Sequence, residues 1–469
     1  MGAVGALLTV GLVGPIRPAW AQEAQPADPN DETQEAQPAP KTEEEKIEEL
    51  EQRLRILERL RELEAEKAAE KAKETATVSV GQEGFLLRSA NGDFVLKLRG
   101  LIQADGGFFQ GDEAEAVSDS FQISRARPIL EATTYKIYDF RIAPDFGLGR
   151  TVLQDAYLDA RFHPAAKLRA GRFKTPFGLE RLQSASDLVF ISRALPTNLA
   201  PNRDIGLMVH GEVQDAVLSY AAGVFNGVSD GGSSDADIND GKEAAARLFV
   251  QPFKKTSIPG LQGFGFGLAA TLGGNQGKPS ATGLAPYKAA GQQNFFSYRA
   301  PSSATVSNTV VADGRRARFS PQLYYYVGRF GVMSEYVRTS QEVQIGSDAD
   351  TMVNDSWQAT ASLFLTDDRA SYKMVAPKRS FNPSQRTAGA FEVVVRYGRL
   401  RIDRDAFPVF ADPTASARET KEQAAGLNWY LNRNYRMMLG YSRTRFEGGA
   451  DSGDREDERV FLSRLQIAF

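Results

Sequence analysis

Eight basic residues, Lys97, Arg99, Arg125, Arg127, Arg141, Arg169, Arg396 and Arg464, fall on the polar side of segments in which apolar and polar residues alternate. Most are arginines. A guanidinium keeps its charge across the physiological range, and its planar fork donates two hydrogen bonds to one oxyanion. A ladder of such groups attracts small phosphate-like anions and hands them on, provided that no single site holds too tightly. The competing use is structural: Glu131, Asp145, Asp155 and Asp159 share these segments and would pair with the same cations to stiffen a wet wall.

Composition narrows the chemistry further. The 469 residues include no cysteine and two histidines, which excludes disulfide scaffolds, thiol enzymes and Cys-based zinc sites. With 56 Lys+Arg against 59 Asp+Glu the chain offers no case for nucleic-acid binding. Beyond the first residues no apolar run is long enough for a membrane helix. Charge is unevenly placed: residues 1–75 hold 10 basic and 17 acidic side chains, leaving 46 basic and 42 acidic in a slightly cationic body.

The acidic head divides into three. Residues 1–21 read as a secretory signal, with an apolar run from Ala3 to Val13 and Ala19-Trp20-Ala21 as the cleavage site. The basic residues that usually precede such a run are missing, so the true start is expected upstream of Met1. Residues 22–40, rich in Pro, Ala and Glu, form a disordered linker. Over 41–74 the pattern changes to Ile47, Leu50, Leu54 and Leu57, then Leu60 and Leu63, on an otherwise charged helix. That seam is too narrow to bury itself, so a coiled coil with copies of the same chain is expected, and the alternative is a solvated spacer helix.

From Phe94 the period switches to two. Phe94, Leu96, Leu98, Ile102, Ala104 and Phe108 alternate with Lys97, Arg99, Gln103 and Asp105. The pattern recurs at 138–146 and 391–397, and strand-like segments fall near 121–134, 151–162, 166–174, 204–213, 217–226, 243–252, 262–272, 315–326, 330–340, 356–366, 423–431, 434–446 and 458–469, making 16 in all. A short run at Phe85–Leu87 before Asn91-Gly92 is expected as a strand ahead of them. Connections near Lys136, His163–Ala166, Gln214–Ala216 and Asn432–Asn434 are tight, whereas 176–203, 273–314, 341–355, 367–388 and 447–457 are long, so one end of the sheet should carry turns and the other loops. An even number of strands about ten residues long predicts an all-β fold, a 16-stranded antiparallel transmembrane β-barrel over 83–469 behind the N-terminal coiled-coil helix. Mean hydropathy of −0.35 is no objection, because a barrel wall needs only alternate apolar residues. Tyr138, Phe162, Tyr430, Tyr435 and Tyr441 suit an interfacial girdle. The end of the chain, with Phe461, Leu465, Ile467 and Phe469 opposite Arg464 and Gln466, looks like the recognition signal that bacterial outer-membrane proteins present to their assembly machinery.

The run Gly171-Arg172-Phe173-Lys174-Thr175-Pro176-Phe177-Gly178-Leu179-Glu180 resembles the hallmark of the phosphate-selective porin O and P family. Arg203-Asp204-Ile205-Gly206, Phe225-Asn226-Gly227, Phe364-Leu365-Thr366, Gly389-Ala390-Phe391-Glu392 and Asn428-Trp429-Tyr430-Leu431-Asn432 are similar to further family segments, in order across 83–469. The resemblance implies a homotrimeric outer-membrane porin, set in outer-membrane lipid with its N-terminal helix in the periplasm, that passes small anions such as phosphate or polyphosphate. It also implies an inward-folded connection at 176–203, which makes Lys174 and Arg181 candidate constriction residues beside Arg125 and Arg127. One departure matters: where phosphate-preferring members carry paired arginines before Ala, this chain reads Ser124-Arg125-Ala126, so general anion passage is the firmer expectation. No cofactor is expected, since passage down a gradient needs only a wet path and a field.

The rivals are a non-selective diffusion porin, an outer-membrane lipid hydrolase and a secreted β-rich binding protein. A hydrolase needs a Ser/His pair at the lipid surface, whereas His210 alternates inward and His163 falls in a turn. Gly265-Phe266-Gly267-Leu268-Ala269-Ala270 mimics a dinucleotide fingerprint without the helix that would hold the phosphate. Asp235, Asp237 and Asn239 imitate a calcium loop, but Asp240 stands where glycine is required.

Overall fold

A computed structural model describes residues 42–111, 118–233 and 240–469 of the chain. The expected signal and linker, and the Asp235/Asp237/Asn239 imitation, lie outside the described residues. Helix α1 (Glu43–Glu74) starts with a reciprocal cap: Thr42 N donates to Glu45 Oε2 at 3.0 Å, and Glu45 N donates to Thr42 Oγ1 at 3.4 Å. Ile47, Leu50, Leu54 and Leu57 are exposed along it.

The second unit begins with a small hairpin of β1 (Thr77–Gly81) and β2 (Gly84–Arg88). Sixteen barrel strands follow. The first eight are β3 (Phe94–Gln110), β4 (Ser120–Thr134), β5 (Tyr138–Asp145), β6 (Val152–His163), β7 (Ala166–Lys174), β8 (Arg203–Val213), β9 (Leu218–Phe225) and β10 (Glu243–Val250). The others are β11 (Phe264–Gln276), β12 (Val311–Val327), β13 (Phe330–Ile345), β14 (Asp348–Phe364), β15 (Ala390–Arg401), β16 (Ala417–Tyr430), β17 (Tyr435–Ala450) and β18 (Glu458–Ala468). Each pairs antiparallel with the one before, and β18 returns to β3 with Ala468 opposite Leu101 and Arg459 opposite Gln110. The sheet is therefore a closed barrel without free edges, the only sheet that satisfies every backbone group in lipid. Phe469 completes the seam: it exchanges two backbone hydrogen bonds of 3.0 Å with Gly100, and an added Cβ on Gly100 would strike its ring.

Burial follows the alternation. On β3, Phe94, Ile102 and Phe108 are exposed while Gln103 and Asp105 are buried; on β18, Phe461 and Leu465 are exposed while Arg464 and Gln466 are buried. Exposure of the greasy side and burial of the polar side is the inverse of a soluble core, and it is what lipid outside and charge inside require. Gly265 and Gly267 lie within β11, in an unbroken strand, so the dinucleotide reading has no platform.

Two expectations about connections are corrected. Residues 341–355 are not a loop: β13 and β14 run on to a two-residue turn at 346–347. The long 365–389 connection lies at the turn end, together with 251–263, so that end is not purely tight. Tyr430 is no girdle residue either. It is buried on the inner side, its hydroxyl donating to Glu392 Oε2 at 2.7 Å.

Candidate functional site

Connection 175–202 leaves β7 and crosses the lumen. Pro176-Phe177-Gly178 buries Phe177 among Leu195, Leu199 and Val337, and Gly178, with φ +75°, turns the chain into the one-turn helix α2 (Leu179–Leu182). The orphan N–H groups at its start donate to one buried carboxylate: Leu179 N to Glu335 Oε2 at 2.6 Å and Glu180 N to Glu335 Oε1 at 3.2 Å. Polar side chains of the wall hold the rest. Gln103 donates to Ala185 O at 3.0 Å, Arg436 to Ser186 O at 3.0 Å, Asn428 to Val189 O at 3.0 Å and Arg396 to Ser192 O at 3.0 Å. From the turn end, segment 365–389 braces it: Tyr372 stacks on Tyr324 and donates to Leu179 O at 2.6 Å, while Gln183 donates to Tyr372 O at 2.7 Å.

What remains open is a lumen cavity of about 1220 Å³. Among the described residues, twelve Lys or Arg line it against five Asp or Glu, in a chain whose net charge is −3. Of the candidates, Arg125, Arg127, Arg141, Lys174 and Arg181 are brought together here, with Arg169 and Arg464. Lys97, Arg99 and Arg396 are not among the lining residues. Lys97 and Arg99 lie at the turn end of β3, Arg99 being 3.6 Å from Glu131. Arg396 faces inward but is covered, bonded to Glu422 at 2.7 Å beneath the Phe190 ring.

Nine of these twelve cations divide into two sets. Arg127 pairs with Asp145 at 2.6 Å, Arg141 with Asp155 at 3.2 Å and with Glu131, Arg203 with Asp155 at 2.8 Å, Arg169 with Asp159 at 2.5 Å and Arg464 with Asp105 at 2.6 Å. His210 Nε2 also meets Asp159, at 3.0 Å, so it serves the wall. By contrast, Arg125, Lys174, Arg181 and Arg193 form no ion pair among the described residues. Lys174 Nζ donates to Gln183 O at 2.6 Å and Leu182 O at 3.3 Å, and Arg193 donates to the same Gln183 O at 3.0 Å. Arg125 donates to Gln103 Oε1 and Arg181 to Thr197 O. On the connection itself, burial first and then the Arg193 charge push the Arg181 guanidinium down from its usual value; burial likewise lowers that of Arg193. Four cations with dipoles but no carboxylates for partners leave a positive field in the narrowed lumen, which a passing anion relieves.

Sequence reasoning missed Arg150, Arg193, Arg203, Arg247 and Lys288 in the lining. Arg203 stood in a quoted family segment and Arg193 inside the constriction connection; Lys288 lies in a long loop, where no periodicity points to it.

Gly171 explains one fixed position of the hallmark. Its φ of +123° lies outside the range favoured by other residues, and an added Cβ would collide with the Ala156 carbonyl oxygen and the Tyr157 backbone on β6. Gly171→Ala is expected to cost about 1–3 kcal/mol, read as a lower midpoint of urea unfolding in detergent. An unchanged midpoint would show that β7 slides freely past β6.

Comparison with known proteins agrees with this geometry. The family model for phosphate-selective porin O and P matches residues 96–469. Porin O of Pseudomonas aeruginosa is 23% identical over 402 residues, covering 82% of this chain and 91% of that protein. Among solved structures, the outer membrane channel DcaP of Acinetobacter baumannii superposes with a TM-score of 0.53 at 9% identity, over 80% of this chain and 97% of that one. An anion-selective porin from Comamonas acidovorans gives 0.50 at 10% identity, over 80% and 100%. At such identities the two structures speak for the fold.

Proposed function

The chain belongs to the phosphate-selective porin O and P family, and on that premise we propose that its lumen passes small oxyanions of the phosphate type through a constriction made by 175–202. It is an outer-membrane porin, and its family relatives are channels, not enzymes. The observation that carries the anion reading is the lining, twelve cations against five carboxylates among the described residues, with Arg125, Lys174, Arg181 and Arg193 in no ion pair with any of those residues. In this reading those four are the contact residues. Arg127 and Arg141, held by carboxylates, shape the wall and lend field without releasing their partners. Lys97 and Arg99 act at most at the turn-end mouth, and Arg396 anchors the connection.

The remaining assignments belong to the same proposal. Residues 1–21 are removed on export and 22–40 link to α1, which lies in the periplasm. There its exposed seam of Ile47, Leu50, Leu54 and Leu57 pairs with the same seam in neighbouring copies of a homotrimer. Phe469, at the end of the seam strand, is the mark read by the outer-membrane assembly machinery.

The general-porin alternative draws on the paired set, since Arg127, Arg141, Arg169, Arg203 and Arg464 all have carboxylates. Reversal potentials of the full chain in a planar bilayer under a potassium chloride gradient separate the two. Clear chloride preference is expected, with phosphate reducing the chloride current. Equal permeability of chloride and potassium would remove the anion reading, and indifference to phosphate would remove the phosphate part alone.

A further inference from the structure

A second basic feature lies on the outside of the barrel, where the channel has no use for it. Rings first mark a level on the wall. Tyr336 is the register partner of Trp357, Trp357 and Tyr397 stand 5.5 Å apart, Tyr441 faces Phe461 at 5.9 Å, and Phe461 is in register with Phe108. All occupy the outward parity of their strands. A row of rings around a barrel marks the boundary between hydrocarbon and water.

One outward position further toward the long-loop end, the residue type changes. Arg399 follows Tyr397, Arg443 follows Tyr441, and Arg459 stands beyond Phe461. Arg399 is the register partner of Lys421, Lys421 of Arg445, and Arg443 of Arg459. Like charges directly opposite one another destabilise a sheet. The local carboxylates compensate only in part: Glu419 takes Lys421 at 2.6 Å, and Asp457 takes Arg443 at 2.5 Å and lies 3.9 Å from Arg445. Among the described residues nothing comparable meets Arg399, whose Nε is buried without a hydrogen-bond partner there. Just above the ring row, five cations on four adjacent strands pair directly with Glu419 and Asp457 alone among the described residues, since nearby Glu447 is taken by Arg418 at 2.8 Å and Asp355 by Arg401 at 2.8 Å.

We propose that Arg399, Lys421, Arg443, Arg445 and Arg459 form an external binding site for the phosphate groups of net-anionic membrane-lipid headgroups in the leaflet at the long-loop end. Lipid phosphates stand at that height, guanidinium forks take phosphate oxygens two at a time, and an occupied site removes the repulsion within the row. The inference rests on the barrel standing in a bilayer and is independent of what passes through the pore.

The test uses the full chain purified in detergent, with bound lipid counted by native mass spectrometry against equimolar lipid A and phosphatidylcholine. The wild type is expected to retain lipid A in preference, and R399Q/K421Q/R445Q to lose roughly tenfold or more of that preference. Charge-preserving R399K/R445K should keep it, which guards against a misfolded neutral variant. Unaltered heat-modifiable migration and single-channel conductance should accompany the loss, because none of these residues faces the lumen. Equal lipid A retention by wild type and the neutral variant would overturn the proposal. So would displacement of lipid A by millimolar inorganic phosphate, which would make the row a free-ion site. Dissociation of the oligomer with lipid binding intact would assign it to a subunit contact instead.

Discussion

Lys174→Gln is expected to reduce anion permeability by roughly thirtyfold at low salt, and the anion-to-cation permeability ratio by at least as much. The number follows from Coulomb's law: one unit charge acting at about 8 Å through an effective dielectric near 20 is worth about 2 kcal/mol. Lys174 sits where β7 passes into the constriction connection, partly buried, with its ammonium on the carbonyls of Leu182 and Gln183 and no ion pair among the described residues to cancel it. Glutamine retains a donor for one of those carbonyls, so the connection stays seated while the charge leaves. Salt sharpens the test, because screening shortens from about 10 Å at 0.1 M to about 3 Å at 1 M and the effect should shrink accordingly. Lys97→Gln and Arg99→Gln serve as controls, since neither residue lines the cavity. Reversal potentials that do not move in Lys174→Gln, or that move equally in the controls, would place the selective region elsewhere.

Those controls also show what alternation reports and what it omits. Period two assigns a residue to a face with confidence, because slipping by one position would turn charge into lipid. It carries no information on height along the strand or on what lies over the residue. Lys97 and Arg99 are therefore read on a polar face but end up at the mouth, and Arg396 is read inward correctly but lies under Phe190 and Ser192. All sixteen strands were legible because each has a greasy outer row. Contrast fades where strands rise beyond the bilayer: Arg338, Ser340, Glu342 and Gln344 face outward on β13 while Thr339 and Gln341 face inward. Both faces are polar there, so 341–355 resembles a loop although it is ladder nearly throughout. Arg193 and Lys288 come from connections, where only the packed structure brings a side chain to the lumen.

Glu243→Ala should give the largest loss of stability. Glu243 lies on β10 with its side chain almost wholly buried, receiving Arg316 at 2.6 Å and Arg318 at 2.6 Å, both from β12. Arg318 also bonds Asp230 at 2.8 Å and Val228 O at 2.8 Å, and Tyr287 donates to Asp230 at 3.0 Å, so the carboxylate ties two long connections to the wall. Its removal leaves two buried guanidiniums sharing Asp230, and breaking a buried pair from one side costs about 3–5 kcal/mol. Glu243→Gln keeps an acceptor and should lose less. The measurement is the urea midpoint in detergent, with an unchanged slope confirming that stability alone has shifted. A midpoint equal to the wild type would mean that water reaches the two arginines. Since Glu243 is not among the lining residues and Lys174, Arg181 and Arg193 keep their contacts, the reversal potential of folded Glu243→Ala should remain that of the wild type. A lowered midpoint with unchanged selectivity would separate the charges that hold the wall from those that greet the ion.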